Sequence, residues 1–262
     1  MDDHIGGRFS STSVVGTLLL TLAFGQDVVS KFLHGAHQLD KAAENSDIRK
    51  NASLLAALIG VWEQSCCGYA AKAIIPYNSA LSRFVAHLQQ LDCESNGKRV
   101  SVNGEELDYK TAPVIFGEPG TNSQHAFFQM LHQGTSITPV QFIGVKKSHQ
   151  KDPLSQESQT LLNHNLVAQM IALAQGQHDT DPNKCFPGNR PSTLVLLDSV
   201  SPESIGALLS FYENLIMFQG FLWNINSFDQ EGVQLGKTLA SSLNNTHCKN
   251  ELLSALNNIF CC

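Results

Sequence analysis

The chain has 262 residues, of which 42% are hydrophobic, so it is long enough to bury a substantial core as one large domain or two smaller ones. Its formal net charge of −6, with only 17 Lys and Arg, provides no basic surface for nucleic-acid phosphates, so nucleic-acid binding is not expected. The most apolar stretches, 14–24 and 215–223, are shorter than the roughly 20 residues of a membrane-spanning helix, so no span is expected.

The N-terminus and the cysteines indicate a cytoplasmic protein. Acidic residues precede the first apolar run, and the positive n-region and cleavage site of a signal peptide are missing. The seven cysteines have no spacing typical of a secreted framework or a zinc site, so they are interpreted as reduced thiols. His34 and His37 are three residues apart, but no further ligand follows at a suitable distance, so no metal is expected.

Helical and strand patterns alternate along the chain. Ser10 is a candidate N-cap for a first helix, and a second helical pattern begins near Asn51. Asn103-Gly104 is a dipeptide favoured in tight turns and predicts a small surface hairpin between 100–102 and 107–109. Ser201 and Pro202 predict the start of a helix that runs to about Phe218.

Another helix is predicted near 78–90, a further helical pattern includes 161–174, and strands are predicted at 70–76, 114–116, 140–145 and 194–197. Strands that alternate with helices predict an α/β fold in which a mostly parallel sheet is covered on both faces. A glycine pair followed at once by a capped helix usually needs a strand before it, and only five residues precede Gly6. The sequence is therefore interpreted as a fragment.

Three polar stretches carry chemistry. Glu94 follows Gln90 by four residues, a spacing that puts both side chains on one helical face, where the carboxylate could move a proton. The alternative is a solvated face that runs into an Asn-Gly turn.

The segment from Gly117 to His125 follows a predicted strand and opens a helix, where backbone N–H groups could face an anion. His125 is either an acid or base or a structural histidine. Gln230 and Lys237 are seven residues apart and could address one ligand from one helical face, although a lone lysine is more often a surface cation.

These stretches, together with Gly6 to Ser10, resemble the signature sequences of the glucose-6-phosphate isomerase family. The similar segments are 6–10, 94–98, 117–125 and 226–237, in the family's order, and 32–37 and 188–191 are also similar. The resemblance extends from Asp3 to about Leu243 and covers only the C-terminal half of the usual enzyme.

The resemblance implies a sugar-isomerase type of three-layer α/β fold. Residues 1–50 would be the helical end of a preceding sugar-isomerase subdomain whose main part is absent. Residues 51–220 would form the second sugar-isomerase domain, and 221–262 would form a C-terminal segment that carries Gln230 and Lys237.

The implied reaction interconverts glucose 6-phosphate and fructose 6-phosphate through a cis-enediol, without a metal or redox cofactor. Glu94 would be the base that shuttles the proton between C2 and C1, and Arg8 would stabilise the enediolate. His125 and Lys237 would assist ring opening. The residues implied in substrate binding are Gly6, Gly7, Gln90 and Gln230.

The family resemblance also implies a homodimer, in which His125 would serve the active site of the neighbouring subunit. The Ser/Thr-rich loop that grips the sugar phosphate has no counterpart here, because Phe9 to Ser13 is not that loop. We therefore expect the chain alone to be inactive or nearly so. The alternatives are a non-catalytic sugar-phosphate-binding module of the same fold and a structural or signalling protein; the presence of all four implied catalytic side chains argues against the latter.

Overall fold

The computed structural model describes residues 5–243 and residue 259. The helices are α1 (Val14–Phe24), α2 (Gln26–Ala43), α3 (Ala52–Val61), α4 (Phe84–Leu88), α5 (Gly120–Ser123), α6 (Phe128–Gln133), α7 (Pro153–Gln175), α8 (Pro202–Leu222) and α9 (Gln234–Leu243). The strands are β1 (Ala71–Pro76), β2 (Val114–Phe116), β3 (Val140–Val145) and β4 (Ser192–Leu197). A first π-turn (Trp62–Cys66) continues α3, and a second π-turn (Gln89–Glu94) continues α4.

The described strands form one parallel sheet in the order β2-β1-β3-β4. Ala73 of β1 lies opposite Val140 of β3, and Phe142 of β3 lies opposite Leu194 of β4. All of β3 and the last four residues of β1 are buried. Such continuous burial is typical of central strands in a parallel sheet whose two faces are both covered.

Two hydrophobic clusters lie against the sheet. One contains Ile74 and Ile143 together with residues of α4 and α8, and the other contains Ala73, Ile75 and Phe142 together with residues of α6 and α7. Successive side chains of a strand point to opposite faces, so Ile74 and its neighbours in β1 place the two clusters on the two faces of the sheet. The predicted α/β class, with a parallel sheet between layers of helices, is confirmed.

Helices α2 and α8 pack with their backbones in close approach. A Cβ on Gly35 would overlap the carbonyl group of Glu203, and a Cβ on Gly206 would overlap the carbonyl group of Phe32. Glycine is required at both positions because any larger residue would push the helices apart.

Helix α8 is the one helix in the described part of the chain that is long and apolar enough to cross a membrane, with a mean hydropathy of 1.3 over its most apolar window. Within that window, 56% of the residues are buried inside the protein. A core helix passes the same test of length and composition, so this property follows from the position of α8 in the core. That the chain lacks a membrane span stays a prediction.

Several predicted boundaries were wrong. Helix α1 is capped by Ser13, whose hydroxyl accepts a hydrogen bond from the backbone of Val15 at 3.3 Å, whereas Ser10 ends a preceding 3₁₀ turn. The helix predicted near 78–90 is divided into a 3₁₀ turn (Ser79–Leu81), α4 and the second π-turn. The predicted helical segment 161–174 lies within α7, which begins at Pro153 because Asp152 caps it and the proline occupies its first turn. Helix α8 continues past the predicted end near Phe218 to Leu222.

The predicted hairpin between 100 and 109 is reduced to one antiparallel bridge between Val100 and Glu106. Asn103 does not adopt the positive φ of a tight hairpin turn. Instead, the hydroxyl of Ser101 accepts hydrogen bonds from the backbone N–H groups of Asn103 and Glu105, both at 3.2 Å. These bonds, together with backbone hydrogen bonds from Ser101 to Glu105 and from Leu107 to Arg99, close the loop without a strand ladder.

The chain forms two compact units, Met1–Ser227 and Phe228–Cys262. In the second unit, the described residues form a 3₁₀ turn (Glu231–Val233) and α9. The division into 1–50, 51–220 and 221–262 stays a prediction.

Helix α1 is apolar and yet buries none of its residues within the first unit. Its large exposed apolar side chains are those of Val14, Val15, Leu18, Leu19, Leu22 and Phe24. An apolar surface of this kind usually marks a contact with another polypeptide.

Candidate active site

Glu94 lies at the end of the second π-turn, at the surface of the first unit. The preceding helix α4 is anchored by buried Phe84, Val85 and Leu88, and Leu91 continues the buried face into the π-turn. On the outer side of the turn, the side-chain amide of Gln90 donates a hydrogen bond to Oε2 of Glu94 at 3.2 Å. The predicted pairing of these two side chains is present, although the turn that carries them is π-helical rather than α-helical.

Arg8 brings a fixed positive charge to the same carboxylate. Its Nη1 lies 3.1 Å from Oε2 of Glu94, and the side chains of Arg8 and Glu94 are 1% and 22% exposed. Its Nε donates to the hydroxyl of Ser95 and its Nη2 donates to the backbone carbonyl of Ser227, both at 2.9 Å. The guanidinium is therefore buried and held from three sides, while the carboxylate remains reachable from solvent.

Buried polar residues that the sequence did not single out hold this arrangement together. Asn96 donates a side-chain hydrogen bond to the carbonyl of Ile216 in α8 at 3.0 Å, and its side-chain oxygen accepts a hydrogen bond from the hydroxyl of Ser227. Ser95 and Asn96 are fully buried. The Asn-Gly sequence indicated a solvated turn, and only the packing of α8 over it shows otherwise.

Lys98 completes the end of the turn. Its ammonium donates to the backbone carbonyls of Glu94 and Ser95, both at 2.8 Å. Carbonyls at a helix end lack partners within the helix, and a cation there compensates their partial negative charge. Lys98 thus stabilises the backbone beneath Glu94.

Asp92 lies in the same π-turn but on its buried side. Burial raises the pKa of Asp92 to about 7, while the nearby Lys72 ammonium opposes the shift. Glu213 of α8 behaves similarly, since burial and the neighbouring carboxylate of Asp40 raise its pKa to about 7. Both carboxyls are partly protonated near neutral pH.

The predicted histidine lies in the turn after α5, away from any described polar partner. His125 is exposed, its backbone N–H bonds to the carbonyl of Asn122, and its side chain makes no hydrogen bond or ion pair with a described residue. Helix α5 has only four residues, so it offers a single turn of N–H groups rather than a full helix terminus. Within the first unit, no hydrogen bond or ion pair joins the side chain of His125 to Glu94.

Gly6 and Gly7 precede Arg8 in the 3₁₀ turn. A Cβ added to either glycine would meet no atom within 4 Å. Packing within the described residues therefore does not explain the two glycines, and their backbone is open to a ligand.

Gln230 and Lys237 belong to the second unit and are both exposed. Gln230 precedes the 3₁₀ turn with an extended φ of −150°, whereas Lys237 lies in α9. The prediction that they share one helical face is wrong, because Gln230 is not part of a helix.

His34 and His37 do not form part of a metal cluster. His34 Nε2 instead lies 2.9 Å from the side-chain amide of Gln38 and 3.6 Å from a carboxylate oxygen of Glu203. Among the described residues, no three His, Cys, Asp or Glu side chains are grouped to hold a metal ion.

Comparisons with known proteins give a consistent result. The sequence model of the family described as Phosphoglucose isomerase matches residues 1–258. The chain is 58% identical to a glucose-6-phosphate isomerase of Treponema denticola over 246 residues, 93% of this chain and 47% of the relative. It is 49% identical to that of Borreliella burgdorferi over 259 residues, 97% of this chain and 49% of the relative. The chain therefore spans about half the length of the curated relatives it matches.

Solved structures give the same picture. A crystal structure of a glucose-6-phosphate isomerase from Chlamydia trachomatis superposes with a TM-score of 0.93 at 47% identity, and the match covers 99% of this chain and 51% of that chain. A hypothetical protein from Thermus thermophilus superposes with a TM-score of 0.69 at 24% identity, covering 90% of this chain and 55% of that chain. The second similarity concerns the fold alone.

Proposed function

Because the chain belongs to the phosphoglucose isomerase family, we propose that it supplies the proton-transfer part of an enzyme that interconverts glucose 6-phosphate and fructose 6-phosphate. The observation that carries the proposal is the carboxylate of Glu94, which is reachable from solvent and is held by Arg8 and Gln90. The guanidinium of Arg8 and the side-chain amide of Gln90 both contact Oε2 of Glu94, the proposed base. A base is needed to move the proton between C2 and C1, and a nearby cation would stabilise the charge on the enediolate.

In the proposed reaction, Glu94 removes the proton from C2 of glucose 6-phosphate and returns it to C1. The electron pair of the C2–H bond forms the C1–C2 double bond while the C1=O pair moves onto O1, which gives a cis-enediolate. O1 then gains a proton, the hydroxyl on C2 loses one, and Glu94 delivers its proton to C1 as the carbonyl re-forms at C2. While the proton is on the carboxyl group, part of it exchanges with solvent, so exchange of the C2 proton reports this step. A general base in a fixed position contributes about 10²- to 10⁴-fold to the rate. Gln90 holds Oε2 of Glu94 and would orient the carboxylate for this step.

Arg8 would stabilise the negative charge that develops on the sugar oxygen. A guanidinium remains protonated at all working pH values, so it acts as a charge and not as an acid. Its bonds to Ser95 and to the carbonyl of Ser227 fix its orientation before substrate arrives. A donor that needs no rearrangement is effective at stabilising charge in a transition state.

The remaining site residues of the proposal act before or around the proton transfer. His125 and Lys237 would assist ring opening, which moves a proton between the ring oxygen and the anomeric hydroxyl. Gly6, Gly7, Gln90 and Gln230 would bind the substrate. The open backbone at Gly6 and Gly7 is consistent with such a role.

The active form would be larger than this chain. The relatives named glucose-6-phosphate isomerase are about twice as long, and the exposed apolar side chains of α1 offer a surface for a further polypeptide. We propose a cytoplasmic homodimer in which His125 serves the neighbouring subunit, without a metal, a redox cofactor, a nucleic acid or a membrane as partner. The chain alone would be inactive, because the phosphate-binding Ser/Thr loop has no counterpart in its sequence.

The test is the conversion of fructose 6-phosphate to glucose 6-phosphate by this chain alone and by this chain mixed with the separately produced N-terminal half of the Treponema denticola relative. The matched control is the same mixture with Glu94→Gln. Activity that appears on mixing and disappears in the control supports the proposed function. If both halves fold and associate but remain inactive, while the mixture binds the sugar phosphate without exchanging its C2 proton with solvent, the chain is a non-catalytic sugar-phosphate-binding module.

A further inference from the structure

A small cavity of about 30 Å³, with a mixed apolar and polar lining, lies between the two π-turns. The first π-turn contributes Glu63 and Gln64, and the second contributes Asp92. Lys72 of β1 and Gln219 of α8 also line it. A water molecule requires about 10–15 Å³ of such volume, so the cavity has room for about two.

Three oxygen atoms in the lining residues have no hydrogen-bond donor within the described protein. They are Oδ1 of Asp92, Oε1 of Gln64 and Oε1 of Gln219. Their residues are 7%, 5% and 4% exposed. Buried polar atoms are nearly always paired, and an unpaired one destabilises the folded state, so three unpaired acceptors among the residues that line one cavity point to water as their partner.

The charges around the cavity favour water over a metal cation as the group that binds these oxygen atoms. The ammonium of Lys72 donates to Glu63 at 3.1 Å, so the lining already holds one cation paired with one carboxylate. The second carboxyl, that of Asp92, is partly neutral near pH 7 because burial raises its pKa. The cavity therefore has little net negative charge for a further cation, whereas each water molecule donates two hydrogen bonds.

We propose that this cavity is a buried water site and that Asp92, held by it, is a positioning residue for Glu94. Asp92 and Glu94 lie two residues apart in one π-turn, with Asp92 buried and Glu94 at the surface. Single π-turns are rare in helices and are frequent at functional sites, so we expect this one to depend on tertiary contacts for its shape. Loss of the hydrogen bonds to Asp92 would allow the turn to move and would carry the carboxylate of Glu94 away from Arg8.

The test compares crystal structures and amide hydrogen exchange of the full 262-residue chain with those of two variants. In the parent chain, ordered water is expected within hydrogen-bond distance of at least two of the three acceptors. Asp92→Leu, which removes the polar group, is expected to lose that water and to speed amide exchange in residues 89–94 by about tenfold. Asp92→Asn keeps the shape and a side-chain oxygen, so exchange there is expected to remain within about twofold of the parent.

The control variant is Leu173→Ala, which removes packing in the cluster on the other face of the sheet. It lowers global stability without a selective effect on residues 89–94. A dry cavity in the parent chain, a metal ion in place of water, or unchanged exchange of residues 89–94 in Asp92→Leu would each overturn the proposal. If Asp92→Leu does not fold, Gln219→Leu, which removes another of the acceptors, takes its place with the same expected outcomes.

Only the expected effect of Asp92 on turnover rests on the proposed function. The water site itself does not depend on it. In the reconstituted enzyme, Asp92→Leu is expected to lower kcat tenfold or more with KM within about twofold, because a displaced base slows chemistry more than binding. Water occupancy and amide exchange are measured without substrate. A failure of the water site is therefore distinguishable from a failure of the isomerase activity.

Discussion

Nη1 of Arg8 lies 3.1 Å from Oε2 of Glu94, with the arginine side chain 1% exposed and the glutamate side chain 22% exposed. The two residues come from distant parts of the chain, the 3₁₀ turn at the N-terminus and the second π-turn. Burying a guanidinium is costly unless all its hydrogen bonds are made, and Ser95 and Ser227 contribute to making them. The site is therefore assembled around the arginine, and the glutamate is the more exposed member of the pair.

Replacing Glu94 by Gln removes the proposed base and keeps the size of the side chain. In the reconstituted enzyme, the rate of isomerisation is expected to fall by about 10²-fold or more, because an amide cannot accept the C2 proton. The same step is measured by the rate at which the C2 proton of glucose 6-phosphate exchanges with deuterium from the solvent. Retained exchange in Glu94→Gln would remove Glu94 from the role of base.

Replacing Arg8 by Lys keeps the charge but loses the planar fork that bonds in three directions. Lysine cannot contact Glu94, Ser95 and the Ser227 carbonyl from one group in the same geometry. We expect kcat to fall about tenfold or more and the free energy of unfolding to fall by about 1–3 kcal/mol, since buried acceptors lose their donor. Arg99→Lys is the matched control, because Arg99 pairs with Glu106 at the surface and both side chains are exposed. An equal loss of activity in both variants would contradict the proposed role.

The buried carboxyl of Asp92 predicts a dependence of stability on pH. Its pKa in the folded chain is about 7, above its ordinary value, so the folded state binds more protons than the unfolded state between pH 4 and 7. Stability from this group is thus present below pH 4 and is lost as the pH rises through 7, by an amount on the order of 4 kcal/mol. Glu213 acts in the same direction, because burial and Asp40 raise its pKa.

Denaturant unfolding at pH 5 and pH 8 measures this effect as a difference between variants. Asp92→Asn cannot ionise, so its stability relative to the parent is expected to rise between the two pH values. Surface carboxyls such as Asp198, whose pKa is lowered by Lys146, act in the opposite direction in both proteins and cancel in the comparison. A constant difference between parent and variant at the two pH values would show that Asp92 does not titrate in this range.

Replacing Gly206 by Ala places a methyl group against the backbone of Phe32 in the facing helix. Because backbone cannot move aside as a flexible side chain can, α2 and α8 must separate, and we expect a loss of about 2–3 kcal/mol in the free energy of unfolding. Gly232→Ala is the control, since a Cβ there meets no atom within 4 Å. The measurement is the midpoint of thermal unfolding, which is expected to fall in Gly206→Ala and to stay near that of the parent chain in Gly232→Ala. Similar midpoints in the two variants would mean that α2 and α8 are not in close contact.

Much of the secondary structure could be predicted from the sequence, because local patterns determine it. The helical pattern predicted to begin near Asn51 appears as α3, and the predicted strands at 70–76 and 140–145 appear as β1 and β3. The two strand segments are short apolar runs bounded by turn residues, which favours buried strands over helices because helices need longer patterns. The pairing of Gln90 with Glu94 also follows from spacing along one turn.

The sequence by itself thus determined the α/β class, the strands of the sheet and, through its motifs, the resemblance to one family of isomerases. Only the tertiary structure decided that Ser95, Asn96 and Ser227 are buried supports of Arg8, because nothing in a polar Glu-Ser-Asn-Gly segment indicates that α8 covers it. It also decided that Asp92 lines a cavity while Glu94 faces solvent, since the two differ by two positions in a turn whose π-helical shape has no signature in the sequence. Local propensity acts over a few residues, whereas burial and hydrogen bonding in this site join segments that are distant along the chain.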